Sequence, residues 1–444
     1  PFCNAHGSLV IIGSRAASLT SVFISQLYSS PYNDDKKLLT FSDSVQDAAH
    51  RAGFFAARTY RFNLRAAMQQ FVMNQNPDLS LEQVMDSFWK YWSDIMDEQT
   101  FIATFLPPDL AWMRDYDLLK NQGKLPDDSR LKEYVINRMK WEVLREYGFS
   151  ARLGRTLEKT GASVVCLNSQ KLDKTIERIL DSLRNETDEL RDLSVETLQW
   201  FISGLIVHLK NKGGIDWNEF SGYIESWGNT YKLSVIPWMQ NFGVRTRAPS
   251  YLTTANQYRF DALFESVNRR TWYEHWLDKC FNPLLPFKYD ISGALFNIIL
   301  SGLVEEGILV ERRLKNERVW GIQPNALTIT LDVSQVQCNK CGHQVSAGDS
   351  EADRWERSPC LRYSCDGQYM ILPKKDDYYR TLYTSGDIKR IFAAEHTGML
   401  GRDERETLEL QFKRTEGKPW DPNLLSCTPT LELGIDIGNL SSVI

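Results

Sequence analysis

Apolar residues recur at helical spacing in residues 14–30, SRAASLTSVFISQLYSS, where Ala17, Leu19, Val22, Phe23 and Leu27 form the repeat. The polar stretch PYNDDKK breaks that pattern, and KLLTF after it reads as a short buried strand. In SDSVQDAAHRAGFFAARTYRFNLRAAMQQFV, Ser42 or Asp43 can cap a helix along which Ala48, Ala49, Ala52, Phe55 and Ala56 recur. Helix, strand and capped helix make residues 14–75 an α/β unit. From about Met73 to Leu252 long helical stretches dominate, such as LKEYVINRMKWEVLREYGF, and Lys212-Gly213-Gly214 ends one of them. The aromatic residues Phe88, Trp89, Tyr91 and Trp92 read as core, and so does His208 in its apolar surroundings.

Residues 290–323 have a different rhythm. Leu295, Ile298, Ile299, Gly302 and Leu303 mark one face of a helix that Gly307 closes, and the strands ILVERRL and ERVWGI follow with a turn near Lys315-Asn316. A helix running into a basic hairpin predicts a winged-helix-like part. Arg312, Arg313 and Lys315 on that hairpin are candidates for nucleic-acid phosphates, and the alternative is a solvated hairpin that serves packing or protein contacts. The end of the chain returns to α/β character. RIFAAEHTG reads as a strand into a loop, RDERETLELQFKRTEG as a helix with Leu408 and Phe412 inward, and LLSCTPT as a strand.

At 444 residues the chain is too long for one ordinary core, so two to four domains are expected. A composition of 42% hydrophobic and 25% charged residues is that of a soluble globular protein, and a net charge of −5 leaves room for a local basic surface. The longest apolar run, Trp200 to Leu209, is too short to cross a membrane, and no signal peptide is evident. Four of the eight cysteines cluster and Cys3, Cys166, Cys280 and Cys427 are scattered, which fits a reducing, cytoplasmic setting with one metal site rather than a disulfide framework. The start at Pro1 and the abrupt end suggest a piece of a longer protein.

The sharpest chemical signal is Cys338-x-x-Cys341, an 18-residue gap, and Cys360-x4-Cys365. Two cysteine pairs on two turns, CNKCGH and CLRYSC, match a closed tetrahedral Zn2+ site of the zinc-ribbon type. A closed site leaves no position for water, so the role expected of it is structural; His343 is an alternative ligand. A second signal is the pair KLLTFSDSVQDAA and LLSCTPTLELGIDIG, each an apolar strand followed by a polar turn. Strand ends and helix starts of α/β domains suit phosphate-bearing ligands. Gly434 would let backbone approach such a ligand and Asp436 could accept from a ribose hydroxyl, although the same corner can be a simple strand turn.

FSDSVQDAA resembles motif IV of superfamily 2 helicases, EHTGMLGRDERETLELQFK the element that follows it, and SCTPTLELGIDIG motif V. Direct resemblance covers about residues 8–60 and 388–444; the middle is matched by arrangement, which is similar to that of large bacterial DEAD/DEAH-box helicases with relatives in phage-defence systems such as DISARM and Druantia. The resemblance implies a split RecA-like α/β motor domain with a large, mostly α-helical insertion. Its parts would be 8–72 (motif IV), 73–252 (helical insertion), 253–335 (winged-helix-like part), 336–372 (four-Cys zinc-binding element) and 373–444 (motif V). It further implies that Thr428 contacts a nucleic-acid phosphate, that Ser42 and Gln46 touch the strand's backbone, and that Gly434 and Asp436 face the nucleotide. Such contacts position a strand without reading its sequence.

No G-x-x-x-x-G-K-[ST] loop, DEAD/DEAH tetrapeptide or arginine-rich motif VI occurs, and Asp97-Glu98-Gln99-Thr100 lies in a polar helical stretch. The expectation is therefore one lobe of an ATP-dependent DNA helicase or translocase that hydrolyses no ATP alone. ATP and Mg2+ would belong to the full-length protein. The expected partners are DNA, single-stranded or duplex, the first RecA-like lobe of the same protein and other defence-system proteins. The alternative is a non-catalytic DNA- or protein-binding module on a RecA-like scaffold.

Overall fold

The computed structural model describes residues 13–428 except 31, 35, 76–78, 150–154, 187, 243–245, 255–258, 265–269, 282–288, 316 and 376. The fold is mixed α and β, about half helical, with small sheets. Two compact units can be distinguished. Among the described residues, one takes those up to Phe71, then Phe88–Met139 and those from Tyr378 on; the other takes Val72–Ser87 and Lys140–Asp377. Gly434 and Asp436 lie outside the described residues.

In the first unit, Leu38–Phe41, Leu424–Cys427 and Ala393–His396 form a parallel sheet with Leu424–Cys427 in the middle. Leu38 and Ala393 both pair with Leu424, so Phe41, Cys427 and His396 end side by side. Side chains alternate along a strand, and a parallel sheet joined by long crossovers has two faces to bury. Leu38 and Leu424 pack with Ile24 and Tyr28 of the helix Gly13–Ser29, Phe55 of the helix Val45–Met73, and Ile391. Leu39, Leu425 and Cys427 pack on Phe412 of the helix Arg402–Lys413, with Leu408 beside them. Each such fully buried side chain is worth about 1.5–3 kcal/mol.

Residues of the 88–139 stretch join this unit through a buried cation. Asp97 caps the helix Glu98–Phe105, its carboxylate accepting from the Thr100 N–H at 3.0 Å. The other end of that helix is held by Arg390, whose Nη1 donates to the carbonyls of Thr104 at 3.0 Å and Leu106 at 2.5 Å. Its guanidinium also lies against the rings of Tyr60 and Phe392. A cation suits the negative end of a helix. Arg390 faces no carboxylate among the described contacts, and burial lowers its pKa.

The second unit is largely helical and, among the described residues, carries three small sheets. Leu309–Leu314 and Glu317–Ile322 form the hairpin, turning at Lys315 with φ 56°, and Leu252–Thr253 pairs antiparallel with Val319 and Trp320 on its inner strand. Between that short strand and the hairpin lie the helices Trp272–Phe281 and Tyr289–Glu305. The Tyr289–Glu305 helix is closed by Gly307 at φ +66°. It packs on the helix Ser169–Glu186, and Gly302 makes that approach possible: a Cβ there would lie 2.3 Å from Ile179 Cγ2. Arg178 ties the same pair of elements, bonding Glu305 and Glu306. His208 stacks flat on Trp272 at 3.6 Å between ring centres. The third sheet, Tyr369–Ile371, Val333–Cys338 and Gln344–Gly348, is antiparallel and carries the clustered cysteines at its ends.

Candidate functional site

The metal-ligating geometry starts in two tight turns. Cys338 ends its strand, its N–H donates to His343 O at 2.8 Å, and Gly342 takes the left-handed φ of +67° that brings the chain back. In the second turn Cys360 N donates to Gly367 O at 2.8 Å and Cys365 N to Arg362 O at 3.2 Å. Gly367 is required for space, because a Cβ there would meet Cys338 Sγ at 2.5 Å. The turns bring four thiols together: Cys338 and Cys365 sulfurs are 3.6 Å apart, as are Cys341 and Cys360, and all four lie within 4.8 Å of one another. A tetrahedral Zn2+ with bonds near 2.3 Å needs sulfurs about 3.8 Å apart, whereas a disulfide needs about 2 Å. The four cysteines therefore fit a structural zinc ion.

Electrostatics agree with that chemistry. The N–H groups of Arg362 and Gly367 point at the sulfurs of Cys360 and Cys365, each at 3.4 Å. Burial pushes the thiols of Cys341 and Cys360 up. For Cys338 burial acts the same way, but backbone N–H groups of Cys341 and Lys340, together with the thiols of Cys365 and Cys341, outweigh it and bring the thiol down to about 7. A metal would displace the remaining protons, so its affinity rises with pH. His343 is turned to other use: Nδ1 shares a 2.6 Å hydrogen bond with the Tyr369 hydroxyl, and burial with the Arg362 charge lowers its pKa to about 4.

At the strand ends of the first unit the polar residues follow the aligned carboxyl termini. Ser42 N donates to Cys427 O at 2.9 Å, and Thr428 N to His396 O at 3.3 Å, so the loops after all three strands meet. Ser42 is buried and its hydroxyl donates to Asp47 Oδ2 at 2.7 Å; that bond first, and the Arg51 charge after it, lower the Asp47 pKa. Gln46 is exposed on the first turn of the Val45–Met73 helix, and Thr428 is buried. His396 Nε2 meets Glu409 Oε1 at 2.8 Å, while its Nδ1 and the Thr397 hydroxyl are buried with no hydrogen-bond partner among the described residues.

The hairpin cations divide. Arg312 forms a two-pronged ion pair with Asp216, at 2.9 and 3.0 Å, so its guanidinium is engaged within the fold. Arg313, with a side chain 82% exposed and 3.3 Å from Glu311, and Lys315 at the turn face solvent. The helix before the hairpin, YDISGALFNIILSGLVE, has no basic residue, and Gly302 packs it on the Ser169–Glu186 helix.

Sequence reasoning passed over Lys279, whose ammonium bonds the second cysteine turn, and Arg390 and His396. No local pattern marks Lys279, because its first partner is 81 residues away. His396 lies in the EHTG stretch at the end of its strand, but its pairing with Glu409 appears only when strand and helix pack.

No protein-family model and no solved structure matches the chain. A segment of 166 residues, 32% of the chain, is 27% identical to the Druantia protein DruE of Escherichia coli strain UMEA 4076-1. The matched part spans 9% of that protein's length. No helix among the described residues is long and apolar enough to cross a membrane.

Proposed function

We propose that this chain supplies the second motor lobe of a superfamily 2 ATP-dependent DNA helicase or translocase that acts in bacterial anti-phage defence. The observation that carries the reading is the meeting of three polar loops at the aligned carboxyl ends of a parallel sheet: Ser42, His396-Thr397 and Thr428. Open α/β sheets bind ligands at that edge. Similarity to the Druantia protein supports the defence setting. Thr428 and Ser42 hold the phosphate backbone of the strand, with Gln46 beside them. Gly434 and Asp436 serve the nucleotide, and the phosphate-gripping lysine and Mg2+ carboxylate come from the first lobe. Zinc held by Cys338, Cys341, Cys360 and Cys365 closes the small sheet of the second unit and takes no part in chemistry.

A second reading keeps the fold as a non-catalytic binding module. It is favoured by the hairpin, where Arg312 is engaged with Asp216 while Arg313 and Lys315 are exposed. One assay separates the two. In a longer protein that carries this segment behind a first lobe, Thr428→Val lowers DNA-stimulated ATP hydrolysis on the motor reading and leaves it unchanged on the module reading. The isolated chain hydrolyses no ATP on either; robust DNA-stimulated hydrolysis by it would overturn the reading that the chain is one lobe of a longer motor.

A further inference from the structure

We infer that Lys279 is a positioning residue of the four-cysteine metal centre, pre-setting the Cys360–Cys365 turn and making metal and the Trp272–Phe281 helix one cooperative element. Lys279 Nζ donates to Cys360 O at 2.9 Å, Arg362 O at 2.6 Å and Cys365 O at 2.7 Å. An ammonium has three N–H donors and no acceptor, so these three carbonyls saturate it. Two of the three belong to metal ligands. One turn of helix earlier, the His275 ring packs on Tyr363 at 4.3 Å between centres, and a further turn back Trp272 Nε1 donates to Leu361 O at 2.8 Å. One helix thus holds four carbonyls of a six-residue turn.

The first cysteine turn has no such clamp in the described contacts. It closes on itself through Cys338 N to His343 O and Gly342 N to Cys338 O, and its Lys340 pairs with Asp366 at the surface, 2.7 Å away. The two halves of the site therefore differ: one is set by its own backbone, the other by a side chain from outside the sheet. Charge points the same way. Four thiolates around Zn2+ carry a net charge of about −2, and Lys279 is the half-buried cation next to them. Groups outside the ligand set that orient and neutralise it typically contribute roughly 10–100-fold in metal affinity.

The inference rests on zinc binding at the four cysteines, so zinc content of the wild-type chain is measured first. Absence of zinc there would overturn both the site and the role of Lys279. With zinc present, its transfer to a chromogenic chelator is timed for wild type, Lys279→Met, Lys279→Arg and Lys340→Met, and the Co2+-substituted forms are compared by their thiolate charge-transfer and d–d bands. The expected result is transfer accelerated roughly 10–100-fold in Lys279→Met with altered Co2+ bands, and less than twofold in Lys340→Met. Lys279→Arg keeps the charge but presents a flat fork that cannot converge on three carbonyls, so it recovers only part of the loss. Wild-type behaviour of Lys279→Met, or an equal effect of Lys340→Met, would overturn the role. Should Lys279→Met fail to fold, Lys279→Arg decides: wild-type transfer and bands in that variant would overturn it.

Discussion

The cysteine centre and the strand edge are both built from turns, yet the ligands of one come from a single short stretch of sequence and the other is assembled from afar. The four thiols come from two turns within residues 338–365; the first closes on its own backbone, and the second is clamped in addition by Lys279. At the strand edge, Ser42 meets Cys427 across 385 positions of sequence, and His396 reaches Thr428 only because two strands align. A site of the first kind can be stabilised by its ligand. A site of the second kind is only as good as the core beneath it.

That difference sets what should break each. Cys338→Ser with Cys341→Ser removes half the ligand set, and structural zinc in small domains contributes about 10 kcal/mol or more of folding free energy. The expected outcome is loss of the bound zinc and collapse of the 333–371 sheet, read by metal analysis and by loss of amide protection there. Full zinc content with an unchanged melting curve would end the comparison.

The strand edge should answer to its core instead. Arg390→Met leaves the carbonyls of Thr104 and Leu106 without their donor, a cost of about 2–4 kcal/mol for buried groups. Urea unfolding should shift by that amount while zinc content stays as in the wild type. An equal loss of zinc would show that the two sites do not fail separately.

A smaller effect sharpens the electrostatics around the zinc-bearing sheet. Glu351 packs against Cys166, and burial pushes its carboxyl from the ordinary 4.5 up to about 7. A raised carboxyl means the folded chain holds a proton that the unfolded chain has released. Its favourable contribution is complete below pH 4.5 and is lost as pH rises through 7. After allowance for partial solvent screening this amounts to about 1–2 kcal/mol. Glu351→Gln should therefore flatten stability between pH 5 and 8 and gain on the wild type at pH 8. A pH profile parallel to the wild type would remove Glu351 from the account.

Much of the fold could be read from periodicity and punctuation. KLLTF and LLSC are strands, Gly307 closes its helix, and Leu408 and Phe412 face inward, because each depends on neighbours within a few residues. The four cysteines were legible for the same reason. Pairings that depend on distant partners were not. The short strand Leu252–Thr253 beside the hairpin has no sequence signal of its own, and residues 88–139 count with the parallel sheet through Arg390. The pairing of Arg312 with Asp216, 96 residues away, has no local sequence signal. At the strand edge the motif-like turns named Ser42 and Thr428, while the buried His396–Glu409 pair needed the packed helix to appear.

The account turns on the strand edge being the surface that holds a nucleic-acid backbone. Its most direct test is the affinity of the chain for a fluorescent single-stranded DNA oligonucleotide, compared between wild type and Ser42→Ala with Thr428→Val. Losing two phosphate hydrogen bonds should weaken binding about tenfold, with zinc content unchanged and the melting temperature lowered only by as much as loss of the Ser42–Asp47 bond accounts for. Undiminished binding by a folded, zinc-loaded double variant would contradict it.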